Sequence, residues 1–172
     1  SIDYESLNPS DHLGQIRSVF NPKKKQLMIA KEVTETQRVF ILAKELGYCH
    51  LAIEARPLTF SWIKFEGFED VLNNFKASYF AGALILNEKR LVADVKEFFQ
   101  SEKWNSKAFF NLMLTYTDSA ETVFQRLTNL LPKHLVLGDM FFLRFGRKLA
   151  SERISLTKVY HIGAAFKQSA KQ

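Results

Sequence analysis

Apolar positions recur at two spacings along the chain, and the changes from one to the other mark out its elements. Ile16 to Phe20 and Gln26 to Ala30 are rich in isoleucine, valine, phenylalanine, leucine and methionine, and Asn21-Pro22-Lys23-Lys24-Lys25 between them favours a turn. They predict a β-hairpin whose three lysines form a solvated tip or, alternatively, a phosphate contact. Residues 1 to 14 carry few signals beyond Pro9-Ser10-Asp11, a turn or short helix start. Thr34 and Gln37 match a capping box and open a helix expected to run to about Arg56, where Pro57 disfavours continuation. Within it Phe40, Ala43, Leu46, Gly47 and Leu51 recur at helical spacing and are expected to face a core. Leu58 to Phe65 is rich in β-formers but alternates poorly, which makes it a candidate strand.

A second helix is predicted over Glu69 to Leu86, with Val71, Leu72, Phe75, Tyr79, Phe80, Ala83, Leu84 and Leu86 covering more than one stripe. Glu88 to Phe99 follows, with Leu91, Val92, Val95, Phe98 and Phe99 on one side. Shorter helices are expected over Ser106 to Tyr116 and Ser119 to Leu131, with Pro132 ending the run. Asp139 to Phe145 and Glu152 to Tyr160 predict a closing hairpin joined at Gly146-Arg147-Lys148. The pattern gives one α+β domain over residues 1 to 172, with no internal repeat and no linker.

Composition narrows the class. The chain has 172 residues, 47% hydrophobic and 13% aromatic, with sixteen phenylalanines against seven glycines and four prolines. That is enough for one substantial core and excludes a disordered chain. No apolar run reaches the ~20 residues of a membrane span, so the expectation is a cytoplasmic protein without a membrane partner. The single cysteine, Cys49, rules out an internal disulfide. A net charge of +6 is compatible with a phosphate-bearing partner, but so modest an excess first describes a solvated surface. The chain begins at Ser1, and it is expected to be a fragment of a longer protein.

Lys44-Glu45-Leu46-Gly47-Tyr48 has the spacing of H-E-x-x-H, in which two histidines one helical turn apart bind zinc and the glutamate activates a water. Lysine and tyrosine stand where the histidines would be. Lysine is cationic at neutral pH, and tyrosine, with a pKa near ~10, is a poor zinc ligand. His50 and Glu54 are spaced four apart but have no third ligand nearby, and His12, His134 and His161 are scattered. Cys49 is expected to be a small core residue, and the carboxylates Glu66, Glu69 and Asp70 suit a helix N-terminus. No glycine-rich phosphate loop and no nucleophile elbow occur. The helices over 106 to 131 have the connection of a helix-turn-helix, but the second offers only Gln125, Arg126 and Asn129 among apolar neighbours and predicts a packed hairpin.

Phe40-Ile41-Leu42-Ala43-Lys44-Glu45-Leu46-Gly47-Tyr48 resembles the "F-x-L-A-H-E-L-G-H" helix of the ImmA/IrrE metallopeptidase-like family. Asn74 to Leu86 resembles its second signature, roughly "E-x-x-A-N-x-F-A-A-x-L-L-M". Gln125 to Leu130 and Phe141 to Arg144 are similar to downstream elements of one branch, the Xre-type transcription regulators that include short-chain fatty acyl-CoA regulators. The resemblance spans about residues 15 to 146. It implies a zincin-like helical domain with a small antiparallel sheet and a closing hairpin. It also implies a bacterial regulator whose helix-turn-helix DNA-binding domain is absent from this chain, and a homodimer in full length.

The family's two histidine ligands correspond to Lys44 and Tyr48, its glutamate ligand to Asn74, and its catalytic glutamate persists as Glu45. The resemblance therefore implies a pseudoenzyme without metal or cofactor, serving as a sensor for a metabolite such as a short-chain acyl-CoA or as a site for a protein partner. Lys44, Glu45, Tyr48 and Asn74 are the candidate pocket residues. An open cavity there would suit an anionic or carbonyl-bearing ligand, and a closed one would leave a structural hydrogen-bond network. Two other readings stand beside this one: a residual metal-dependent peptidase using Glu45, and a purely structural dimerisation module.

Overall fold

The computed structural model describes residues 1–5, 7, 16–56, 67–135, 139–147 and 154–163. The chain divides into two compact units, Ser1–Ile85 and Leu86–Gln172. Together they give a mixed α+β fold, with five helices and two small sheets among the described residues.

In the first unit, β1 (Ile2–Asp3), β2 (Ser18–Asn21) and β3 (Gln26–Ile29) form a sheet of order β1-β3-β2. β2 and β3 are the predicted hairpin, paired antiparallel from Ser18 opposite Ile29 to Asn21 opposite Gln26. Asn21 closes its turn, its Oδ1 accepting from the backbone N–H groups of Lys23 and Lys24 at 3.1 and 3.2 Å. The three lysines lie exposed at the tip. The parallel partner β1 was not expected, since two residues are too few to set a period. Alternate β3 residues Leu27 and Ile29 are buried with Ala30 and Val33, and Phe20, Ile41 and Leu42 pack against them.

Helix α1 (Glu35–His50) begins as its sequence predicts. Thr34 Oγ1 accepts from Gln37 N, and Gln37 Oε1 accepts from Thr34 N, both at 3.3 Å. It ends six residues earlier than expected. Ile53 N bonds Tyr48 O and Ala52 N bonds Cys49 O, a Schellman reversal with Ala52 at φ 52° in the position glycine usually takes. Leu46, Leu51 and Cys49, all expected in the core, are exposed among the described residues.

Helix α2 (Phe68–Ile85) packs on α1 through small residues. Ala43, Gly47, Ala77, Ala81 and Gly82 are buried, and a Cβ on Gly47 would sit 3.1 Å from both Ala77 O and the Phe80 side chain. Glu69 and Asp70 occupy the first turn of α2, as their charge suggests. The candidate strand over Leu58 to Phe65, as well as Glu66 and His12, lies outside the described residues.

In the second unit, α3 (Glu88–Phe98), α4 (Ser106–Leu114) and α5 (Ala120–His134) each open on a side-chain cap, from Asn87, Asn105 and Ser119. Their buried residues include Leu91, Val95, Phe109, Met113, Val123, Leu127 and Leu130. Phe109 of α4 meets Phe124 of α5 at 6.0 Å between ring centroids, the packed pair expected in place of a DNA reader. Pro132 does not end α5 but lies inside it. In the last turn its missing N–H leaves a single carbonyl without a helical donor, and Leu135 N still bonds Leu131 O at 2.8 Å. β4 (Asp139–Arg147) and β5 (Ile154–Gly163) form the closing antiparallel hairpin. Gly146 and Arg147, expected in the turn, extend the ladder, which shifts register between Arg144 and Phe145.

Candidate functional site

The early end of α1 builds the site. After the reversal at Ala52 the chain doubles back, and Arg56 reaches the helix it has just left. Its Nε donates to Glu45 Oε1 and Oε2 at 3.0 and 3.2 Å, and its Nη2 lies 2.9 Å from Glu45 Oε1. Nη1 donates to the carbonyls of Ile53 and Glu54 at 2.8 and 2.9 Å, so the same guanidinium also holds the reversal together. Its flat faces are used too: the guanidinium carbon lies 4.0 Å from the Phe20 ring centroid and 5.4 Å from that of Tyr48. Burial alone would weaken the charge of Arg56, but the hydrogen bonds and charge of Glu45 outweigh it and raise its pKa.

The close approach of α1 and α2 at Gly47 brings Lys44 to Asn74, whose Oδ1 accepts from Lys44 Nζ at 2.5 Å. The ammonium also lies 5.8 Å from the Tyr48 ring centroid. Tyr48 is 4% exposed, and its hydroxyl has no hydrogen-bond partner among the described residues. Burial pushes its pKa up to about 12; the Glu45 carboxylate adds to this, Arg56 pulls the other way, and Asp70 adds a smaller rise.

The four sequence candidates therefore lie around one helix–helix contact, two of them bonded to each other and a third to Arg56, pairings that were not foreseen. Lys44 meets Asn74, Glu45 meets Arg56, and the Tyr48 ring lies within 5.8 Å of both cations. Sequence reasoning missed Arg56. Its only signal was its place at the predicted end of the helix that bears Glu45, and no spacing rule joins residues across a chain reversal. His50 and Glu54, set aside in the sequence for want of a third ligand, do not share the helix, since α1 stops at His50 and Glu54 lies beyond it. The His50 ring lies 5.2 Å from that of Phe80 instead.

These residues do not fit zinc. Of the three positions that the motif resemblance sets against zinc ligands, one is an ammonium bonded to the residue at a second, and the third is a phenol whose proton is held more tightly than usual. Glu45, which the same resemblance sets at the position of a catalytic base, has both oxygens engaged by a guanidinium. Among the described residues no three histidine, cysteine, aspartate or glutamate side chains gather where they could hold a metal. The arrangement can join α1, α2, β2 and the segment after α1, and it can present charge, but it has no free carboxylate to activate water.

The family model described as the IrrE N-terminal-like domain, of peptidase type M78, matches residues 5–128. No curated protein matches the chain significantly. Among solved structures, a Mycobacterium tuberculosis transcriptional regulator is similar at a TM-score of 0.57 and 20% identity, over 91% of this chain and 52% of that one. The chain thus spans about half the length of that regulator, and at this identity the likeness is one of fold.

Proposed function

The chain belongs to the IrrE N-terminal-like domain family, and from that premise we propose that residues 1–172 act as one non-catalytic regulatory domain of a bacterial, Xre-type transcription regulator. The observation that carries this reading is the Lys44–Asn74 hydrogen bond, which joins two of the three former ligand positions to each other. The Glu45–Arg56 pair supports it by occupying the position of the catalytic base. The fold likeness to a transcriptional regulator supports the regulatory context. No helix among the described residues is long and apolar enough to cross a membrane, which suits action in the cytoplasm beside DNA.

In this reading the domain, as a homodimer, biases an attached helix-turn-helix domain. It does so by binding a metabolite or a protein partner more tightly in one conformation than in another. Lys44, Glu45, Tyr48 and Asn74 are the residues at which a ligand would compete with the internal pairs. A short-chain acyl-CoA is the ligand to try first, since its phosphates and thioester suit an ammonium, a phenol and an amide. Isothermal titration with a panel of acyl-CoA esters tests this. Binding that weakens at least about tenfold in Lys44→Ala supports the site. A folded chain that binds none of the panel removes the acyl-CoA version.

A further inference from the structure

The hairpin of β2 and β3 gathers charge that the candidate site does not use. The first unit carries ten lysines and arginines against ten aspartates and glutamates, but residues 12–31 hold five of the basic residues and no carboxylate. All five, Arg17, Lys23, Lys24, Lys25 and Lys31, are exposed. Three stand consecutively in the turn, and none of the three pairs with a carboxylate among the described residues. Asp3, on the neighbouring strand β1, is already engaged. Its Oδ1 accepts from Glu5 N at 2.8 Å and its Oδ2 from Gln26 Nε2 at 3.2 Å. Arg17 and Lys31 mark the open end of the hairpin, roughly 14 Å from the turn at ~3.4 Å per residue.

We infer that this lysine tip is a contact for the phosphate backbone of duplex DNA. The inference rests on the DNA-binding regulator proposed above and gives its regulatory domain a DNA contact of its own. Three ammoniums side by side repel one another, and a row of phosphates removes that cost. Duplex DNA presents one negative charge per roughly 1.7 Å of axis, so neighbouring lysines meet neighbouring phosphates without reading a base. The backbone of the tip is fixed in advance. Asn21 Oδ1 holds the N–H groups of Lys23 and Lys24, Leu27 and Ile29 anchor β3, and Phe20 lies under the Arg56 guanidinium at 4.0 Å. Little order is therefore lost on contact. The turn, Asn21-Pro22-Lys23-Lys24-Lys25, carries no aromatic or long aliphatic side chain to enter a lipid surface, which favours a nucleic acid over a membrane. Such a contact adds affinity without sequence preference.

Fluorescence anisotropy with a labelled duplex of arbitrary sequence tests this on the 172-residue chain, in a salt series starting at about 50 mM. The variant is Lys23→Gln/Lys24→Gln/Lys25→Gln. The control, Lys96→Gln/Lys103→Gln/Lys107→Gln, removes the same charge from exposed positions of the second unit. The tip variant should bind at least about tenfold more weakly and lose about two to three from the slope of log affinity against log salt. The control should stay within about twofold of wild type. If the triple variant does not fold by circular dichroism, the single Lys24→Gln chain answers instead, with a slope lower by about one. A wild-type chain without measurable binding at about 50 mM salt overturns the inference. An equal loss in variant and control also overturns it, the binding then following net charge alone. So does DNA binding that survives in the tip variant while binding to phosphatidylserine vesicles is lost, which assigns the tip to a membrane. Each of these failures leaves the regulator reading in place, its DNA contact then belonging wholly to the attached domain, and the acyl-CoA titration tests that reading separately.

Discussion

Glu45 and Glu88 each gather basic side chains around one carboxylate, but the surroundings differ. Glu45 is 18% exposed and is gripped through both oxygens by one guanidinium that is itself 14% exposed. Glu88, at the start of α3, is 36% exposed and divides its oxygens among Arg126, Lys133 and His134 of α5, at 3.4, 3.4 and 2.8 Å. The first is a directional contact in a site nearly closed to water, where losing one partner strands a charge. In the second, the carboxylate, Lys133 and His134 stand partly open to solvent, where water and salt replace what is removed, while Arg126 is the buried member at 4% exposure. Residues of the same chemical types thus act as a fixed structural joint in one unit and as a soft, titratable tie in the other.

The largest effect should come from breaking the closed pair. Arg56→Ala is expected to destabilise the chain by about 3 kcal/mol in urea unfolding, because it leaves the Glu45 carboxylate buried without its guanidinium. Adding Glu45→Gln to that variant should recover part of the loss, and a coupling near zero in the double-mutant cycle would erase the distinction between the two clusters. Next, Gly47→Val should cost about 2 kcal/mol, since its side chain meets the Ala77 carbonyl and Phe80 and drives α1 away from α2. A neutral result would mean that the helix contact is not what holds Lys44 to Asn74.

Glu88→Gln should lower the melting temperature less than either, and in a pH-dependent way. The His134 hydrogen bond, opposed by desolvation and aided by Lys133 and Arg126, holds the Glu88 carboxyl below the ordinary carboxylate range. A lowered folded-state pKa means that the stabilisation is complete above the unfolded value, near 4.5, and is lost as pH falls through the folded one. The difference in melting temperature between wild type and Glu88→Gln should therefore shrink as the pH is lowered below the unfolded value of 4.5. It should also shrink in about 1 M salt. A difference that grows on acidification would contradict this assignment. The smallest expected change is a gain: Ala52→Gly relieves the left-handed backbone that ends α1 and should stabilise by about 0.5 kcal/mol in the same urea experiment.

What could be read in advance follows the same division between local and distant causes. The start of α1 is written in Thr34 and Gln37, two residues that satisfy one another. Its end is not, because alanine at position 52 carries none of the signal that glycine would. The first four site residues were reachable because a family motif fixes three of them by position, yet the pairing of Lys44 with Asn74 depends on how closely Gly47 lets two helices approach. Arg56 was out of reach for a sharper reason. It joins Glu45 only if the chain reverses at Ala52, so a wrong helix end hides the contact altogether. Periodicity likewise placed Leu46 on an apolar stripe without saying how much of that stripe another element covers.

The central claim is that the positions of a zinc site now bond to one another and to Arg56. The most direct test is zinc per chain, measured by inductively coupled plasma mass spectrometry on protein purified without chelator and incubated with zinc. A variant carrying Lys44→His, Tyr48→His and Asn74→Glu, which restores a two-histidine, one-carboxylate donor set, serves as the reference. The wild-type chain should hold less than about 0.1 equivalent and the restored variant about one. About one equivalent in the wild type, lost on Lys44→Ala, would contradict the claim.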